Sequence, residues 1–120
     1  MATVTKRKLS GSTDGRGIKV VATATAGTTI HTAVAGTTDG TYDEVWLWAY
    51  NSHTAAVLLT IELGGATVPD DNIKVTIANN SGLVLVVPGL ILQNGSVVRA
   101  FAATANVVTI QGFANSMVTG

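Results

Sequence analysis

A chain of 120 residues with zero formal net charge, 12% charged residues and 47% hydrophobic ones has room for one domain around one modest core. It contains no cysteine, which excludes disulfides, thiol catalysis and zinc–thiolate sites. No apolar run reaches the ~18–20 residues of a helical membrane span, and Met1–Leu9 is polar and basic, so neither a membrane partner nor a secretory leader is expected.

From the N-terminus, residues 2–9 alternate only weakly between apolar and polar and read as either a strand or an extended arm. Ser10 to Gly17 has the composition of a flexible linker. Residues 1–17 therefore read as a basic flexible N-terminal arm, and 18–120 as a single β-sandwich domain. Ile18–Ala26 and Thr28–Ala35 read as two strands broken at Gly27. Asp39-Gly40 marks a turn before a strand over Tyr42–Asn51. One face of that strand carries Val45, Leu47 and Ala49, and the other carries Glu44, Trp46, Trp48 and Tyr50.

Val57 to Leu63 and Ile73 to Ile77 alternate cleanly, as half-buried strands do. Leu83–Val87 is continuously apolar and reads as a strand covered on both faces. Asn94-Gly95 is a strong hairpin signal before a strand over Ser96–Ala102. Asn106–Phe113 reads as the last strand and 114–120 as a short tail. About eight short strands with turns every 8–12 residues predict an all-β protein, an antiparallel sandwich of jelly-roll-like kind.

The charge is unevenly placed. Lys6, Arg7, Lys8, Arg16 and Lys19 face only Asp14 within the first twenty residues, a net +4, which leaves −4 on the remainder. A basic arm on an acidic body suits an acidic protein partner. Five cations over twenty residues are too sparse to predict nucleic acid as the partner. Mean hydropathy is +0.41. Few charges with that hydropathy point to surface hidden against copies of the chain or against a partner.

Catalytic hardware is not legible. A triad drawn from Ser52, His53 and Asp43 lacks a nucleophile elbow. His31 reads as a packed or interface histidine. Asp39, Asp43 and Glu44, like Asp70-Asp71, lack calcium-loop spacing and read as turn acids. No catalytic, cofactor-binding or metal-binding residue is assigned, and no enzyme is expected. Trp46, Trp48 and Tyr50 share one strand face and read as a subunit interface, with a ligand platform as the alternative.

The basic stretch Thr5-Lys6-Arg7-Lys8-Leu9-Ser10-Gly11-Ser12-Thr13-Asp14-Gly15-Arg16-Gly17 precedes a Thr/Val/Ala/Gly-rich body without cysteine. That body ends in Leu90-Ile91-Leu92-Gln93-Asn94-Gly95-Ser96-Val97-Val98-Arg99-Ala100-Phe101. In size, composition and layout the chain resembles small virion structural proteins of tailed bacteriophages, particularly head decoration (cement) proteins. The resemblance includes no diagnostic motif. It implies a non-enzymatic protein on the capsid surface, a dimer or trimer present in the host cytoplasm during assembly, that binds across major capsid protein subunits. Lys6, Arg7, Lys8, Arg16 and Lys19 would then touch the partner. The alternative is a tail or adaptor protein, or a receptor- or carbohydrate-binding virion module using Trp46, Trp48 and Tyr50.

Overall fold

Strict alternation along Tyr42–Asn51 sets the architecture. Val45, Leu47 and Ala49 are fully buried while Trp46, Trp48 and Tyr50 are only half-buried. That strand must therefore lie with one face on a core. The computed structural model describes residues 2–119 and gives nine strands: β1 (Ala2–Lys8), β2 (Ile18–Lys19), β3 (Thr28–Thr32), β4 (Tyr42–Asn51), β5 (Val57–Leu63), β6 (Asn72–Ile77), β7 (Val84–Leu92), β8 (Val97–Ala102) and β9 (Val108–Thr119). They form two antiparallel sheets. One has the order β1-β9-β4-β7, with β2 also on β9, and we call it sheet A. The other, sheet B, has the order β3-β8-β5-β6.

β1 and β2 share the same edge of β9, at Phe113–Thr119 and Thr109–Ile110 respectively. Counted as one interrupted strand, they give two four-stranded sheets with the strand order of a jelly roll. The core between the sheets is aliphatic: Leu47, Val45, Val87 and Ile110 from sheet A meet Leu59, Ile61, Ile77 and Val98 from sheet B. β-Branched side chains dominate because they fill a pleated surface in few rotamers.

Three expectations about the two ends of the chain are corrected. Residues 2–8 are not a free arm. All seven are exposed, yet all seven pair with β9 as an edge strand. The stretch 9–17 is not a loose linker either. Leu9 is 1% exposed in the core. The Gly11 amide donates to the Ile30 carbonyl, the Ser10 amide to His31 Nδ1, and the Thr32 amide to Ser10 Oγ. The basic segment is thus riveted to β3 at its base, while β1 itself is held through backbone bonds. Residues 114–119 are not a tail, because β1 extends β9 through them. The two chain ends are each other's partners, and no local pattern announces a pairing across more than a hundred residues.

The apolar run expected to be covered on both faces is in fact the start of the edge strand β7. It continues through Pro88 and Gly89 to Leu92, with Leu85 and Ile91 exposed. Proline is tolerated at an edge because no ladder donor is needed on the open side. Ile18–Ala26 keeps only two residues of strand. Its remainder folds over sheet B, where Thr25 Oγ1 and the Gly27 amide donate to the carboxylate of Glu62, 1% exposed.

Candidate functional site

The outer face of sheet A is where the sequence-predicted residues converge. Alternation on β4 turns Tyr42, Glu44, Trp46, Trp48 and Tyr50 outward. Antiparallel register then sets Asn115 beside Glu44, Phe113 beside Trp46 and Gln111 beside Trp48 on β9. On the other flank Ile91 lies beside Glu44, Pro88 beside Trp46 and Leu85 beside Trp48. β1 adds Lys6 opposite Asn115 and Lys8 opposite Phe113.

Trp46, Trp48 and Phe113 form a compact tile. Their ring centroids are 6.2, 6.5 and 6.0 Å apart, and their planes lie within 30° of one another. The Trp46 indole rests against Gly89, where a Cβ would come within 2.7 Å of the ring. Gly89 has φ +74°, in the left-handed region that favours glycine. Trp46 Nε1 donates to Glu44 Oε1 at 2.7 Å, and Asn115 Nδ2 donates to the same oxygen at 3.1 Å. Lys6 Nζ sits 4.3 Å from the Phe113 centroid, a cation–π contact. Tyr50 is set apart from the tile, its hydroxyl donating to Asn80 Oδ1 at 3.3 Å.

These bonds hold the Glu44 carboxyl below its ordinary value of 4.5, chiefly through the Trp46 N–H and then through Asn115, with a small opposing effect of burial. The stabilisation from a carboxyl depressed on folding is present above its unfolded value and lost as pH falls through the folded one. The Trp46 indole N–H resonance is therefore expected to report a titration whose midpoint lies below 4.5. A midpoint at or above 4.5 in an NMR titration would contradict this geometry.

The five cations line one edge of sheet A. Lys6, Arg7 and Lys8 are on β1, Lys19 is on β2, and exposed Arg16 lies in the stretch between. Lys8 Nζ reaches the Ser12 carbonyl at 3.2 Å. Among the described residues, no lysine or arginine has a carboxylate within ion-pair distance. The opposite edge, β7, is apolar, with Leu85, Leu90 and Ile91 exposed.

The triad drawn from sequence is not assembled. Ser52 donates to the Val107 carbonyl, and His53 lies in the turn after β4. Asp43, at the other end of β4, pairs with His31: Nε2 to Oδ2 is 2.6 Å, with both side chains 3% exposed. Because the Ser10 amide can only donate, His31 Nδ1 accepts and the ring proton sits on Nε2. Neither ring nitrogen is left to activate a nucleophile, so this pair fastens the basic segment. A cleft beside it is lined by Arg7, Lys8, His31 and Asp43.

Glu44 and Asp43 had both read as turn acids. The alternation of β4 was the signal that places Glu44 in the aromatic row and Asp43 inside. Phe113, Asn115 and Gly89 carried no local signal, since they reach the site only through strand pairing. Comparison with protein-family models, with curated proteins and with solved structures finds no match for this chain.

Proposed function

We propose that this chain is a non-enzymatic virion structural protein that decorates and stabilises a phage capsid by binding across neighbouring major capsid protein subunits. The observation that carries this reading is the edge of Lys6, Arg7, Lys8, Arg16 and Lys19, exposed and without acid partners among the described residues. Such an edge fits an acidic patch on a partner, with the cations acting more on encounter rate and register than on net affinity. The apolar edge at β7 lies at the far side of the same sheet. One edge suits an electrostatic contact and the other a dry one, as bridging between two subunits requires. Repetition over a lattice turns such small contacts into avidity. A jelly-roll scaffold hosts both capsid and lectin domains, so the fold alone does not choose between them.

The test is co-sedimentation with expanded, undecorated phage capsids. Replacing Lys6, Arg7 and Lys8 together by alanine is expected to weaken binding at least tenfold and to flatten its salt dependence. Removing residues 2–8 is expected to leave the core folded, because none of their side chains is buried. Removing 1–17 is expected to destabilise it, because Leu9 is lost. Capsid binding that ignores both salt and these changes would remove the basic edge from the mechanism. Self-association as a dimer or trimer belongs to the same proposal. A mass fixed at 12.2 kDa at all concentrations by light scattering would count against it.

A further inference from the structure

We propose that the outer face of sheet A is a binding site for a neutral pyranose chain, seated on Trp46, Trp48 and Phe113 and hydrogen-bonded by Glu44. This does not rest on the capsid reading. Three rings within 30° of parallel, with centroids 6.0–6.5 Å apart, make one apolar tile of sugar-ring dimensions. Trp46 is already fixed between Gly89 and its bond to Glu44. Little side-chain freedom remains to be lost on binding.

Glu44 decides between a dry protein contact and a wet ligand. Its Oε1 accepts two hydrogen bonds, but its Oε2 accepts none among the described residues. This ionised group stands in the row between Tyr42 and Trp46, with Ile91 across the strand. Covering it with an apolar partner would strand a charge, which is costly, and interface cores are depleted of charged residues. A polyhydroxylated ligand instead brings O–H donors to the free oxygen while its C–H faces lie on the rings. Asn115 and exposed Gln111 supply amides beside the tile. The Glu44 carboxylate and the Lys6 ammonium over Phe113 offset one another on this face, so neither acidic nor basic sugars are selected and a neutral chain is the occupant. The row continues through Tyr42 and Ile91 into a cleft of about 420 Å³ that adds Asp39, Gln93, Asn94 and Ser96, polar groups for a further sugar unit.

The experiment titrates the full chain with cellohexaose, maltohexaose and chitohexaose, read by indole fluorescence and by the tryptophan Nε1–H resonances. Saturable shifts with at least one of them are expected, with a Kd of about 1 mM or tighter. Trp48→Ala and Glu44→Gln are each expected to weaken binding about tenfold. Glu44→Gln is isosteric and keeps the test decisive if Trp48→Ala fails to fold. No saturable shift with any of the three sugars at ~10 mM would overturn the proposal. So would a Trp48→Ala variant that binds sugar normally, or one that binds none but breaks an oligomer into 12.2 kDa subunits. The last result would make the tile a seam between copies and leave capsid binding to be judged by its own assay.

Discussion

Gly112→Ala is expected to lower the unfolding free energy by at least about 3 kcal/mol, roughly 12 °C in Tm at about 4 °C per kcal/mol. Gly112 lies on β9 opposite Leu47, and a Cβ there would collide with the Trp46 carbonyl. A backbone oxygen in the middle of a paired strand cannot rotate aside as a side chain can. Relief requires β4 and β9 to part, and these two central strands of sheet A pair over ten residues, Tyr42 to Asn51. The loss is a large share of the 5–15 kcal/mol that holds a domain together. It also moves Trp46 away from Phe113, so sugar-dependent fluorescence should vanish along with stability. Denaturant unfolding of Gly112→Ala beside Gln111→Ala checks the account, because exposed Gln111 should shift the midpoint little. Equal effects of the two changes would show that the close approach at Gly112 does not constrain the sheet.

His31→Ala is expected to cost about 3–5 kcal/mol, more than Asp43→Asn, which should cost about 1–3 kcal/mol. The asymmetry follows from the buried carboxylate. Among the described residues, Asp43 Oδ1 has no hydrogen-bond partner, and Oδ2 has only His31. Removing the ring leaves a charge inside the protein with nothing to balance it. Asp43→Asn instead removes the charge and keeps an oxygen to accept the Nε2 proton. His31→Ala also deprives the Ser10 amide of its acceptor, so trypsin should cleave at Arg7 and Lys8 faster than in the parent. The double change His31→Leu with Asp43→Leu should recover most of the loss, since an apolar pair of similar volume leaves no stranded group. Asp43→Asn proving as damaging as His31→Ala would refute this reading of the pair.

The two perturbations differ in what they leave standing. Gly112→Ala attacks the frame that carries the aromatic tile and the edges together. The His31 pair secures only the root of the basic edge, where Leu9, Ser10 and Gly11 meet β3. Capsid binding should therefore suffer in both variants. Sugar binding should survive His31→Ala at temperatures where the fold persists, because the tile lies on the outer face of sheet A while that pair is buried on the other.

Period-two patterning and turn residues, read locally, were enough to establish an all-β sandwich, most of its strands, and the shared face of Trp46, Trp48 and Tyr50 on β4. Those features depend only on side chains two residues apart and on glycine- and asparagine-rich turns. Tertiary structure alone decided that β1 closes on the end of β9, that β7 is an edge, and that His31 is the partner of Asp43 and Asn115 a partner of Glu44. In a jelly roll the partners of a strand lie far away in the chain, so the neighbours that make a surface basic, aromatic or dry are set by register, and register is a property of the whole sandwich.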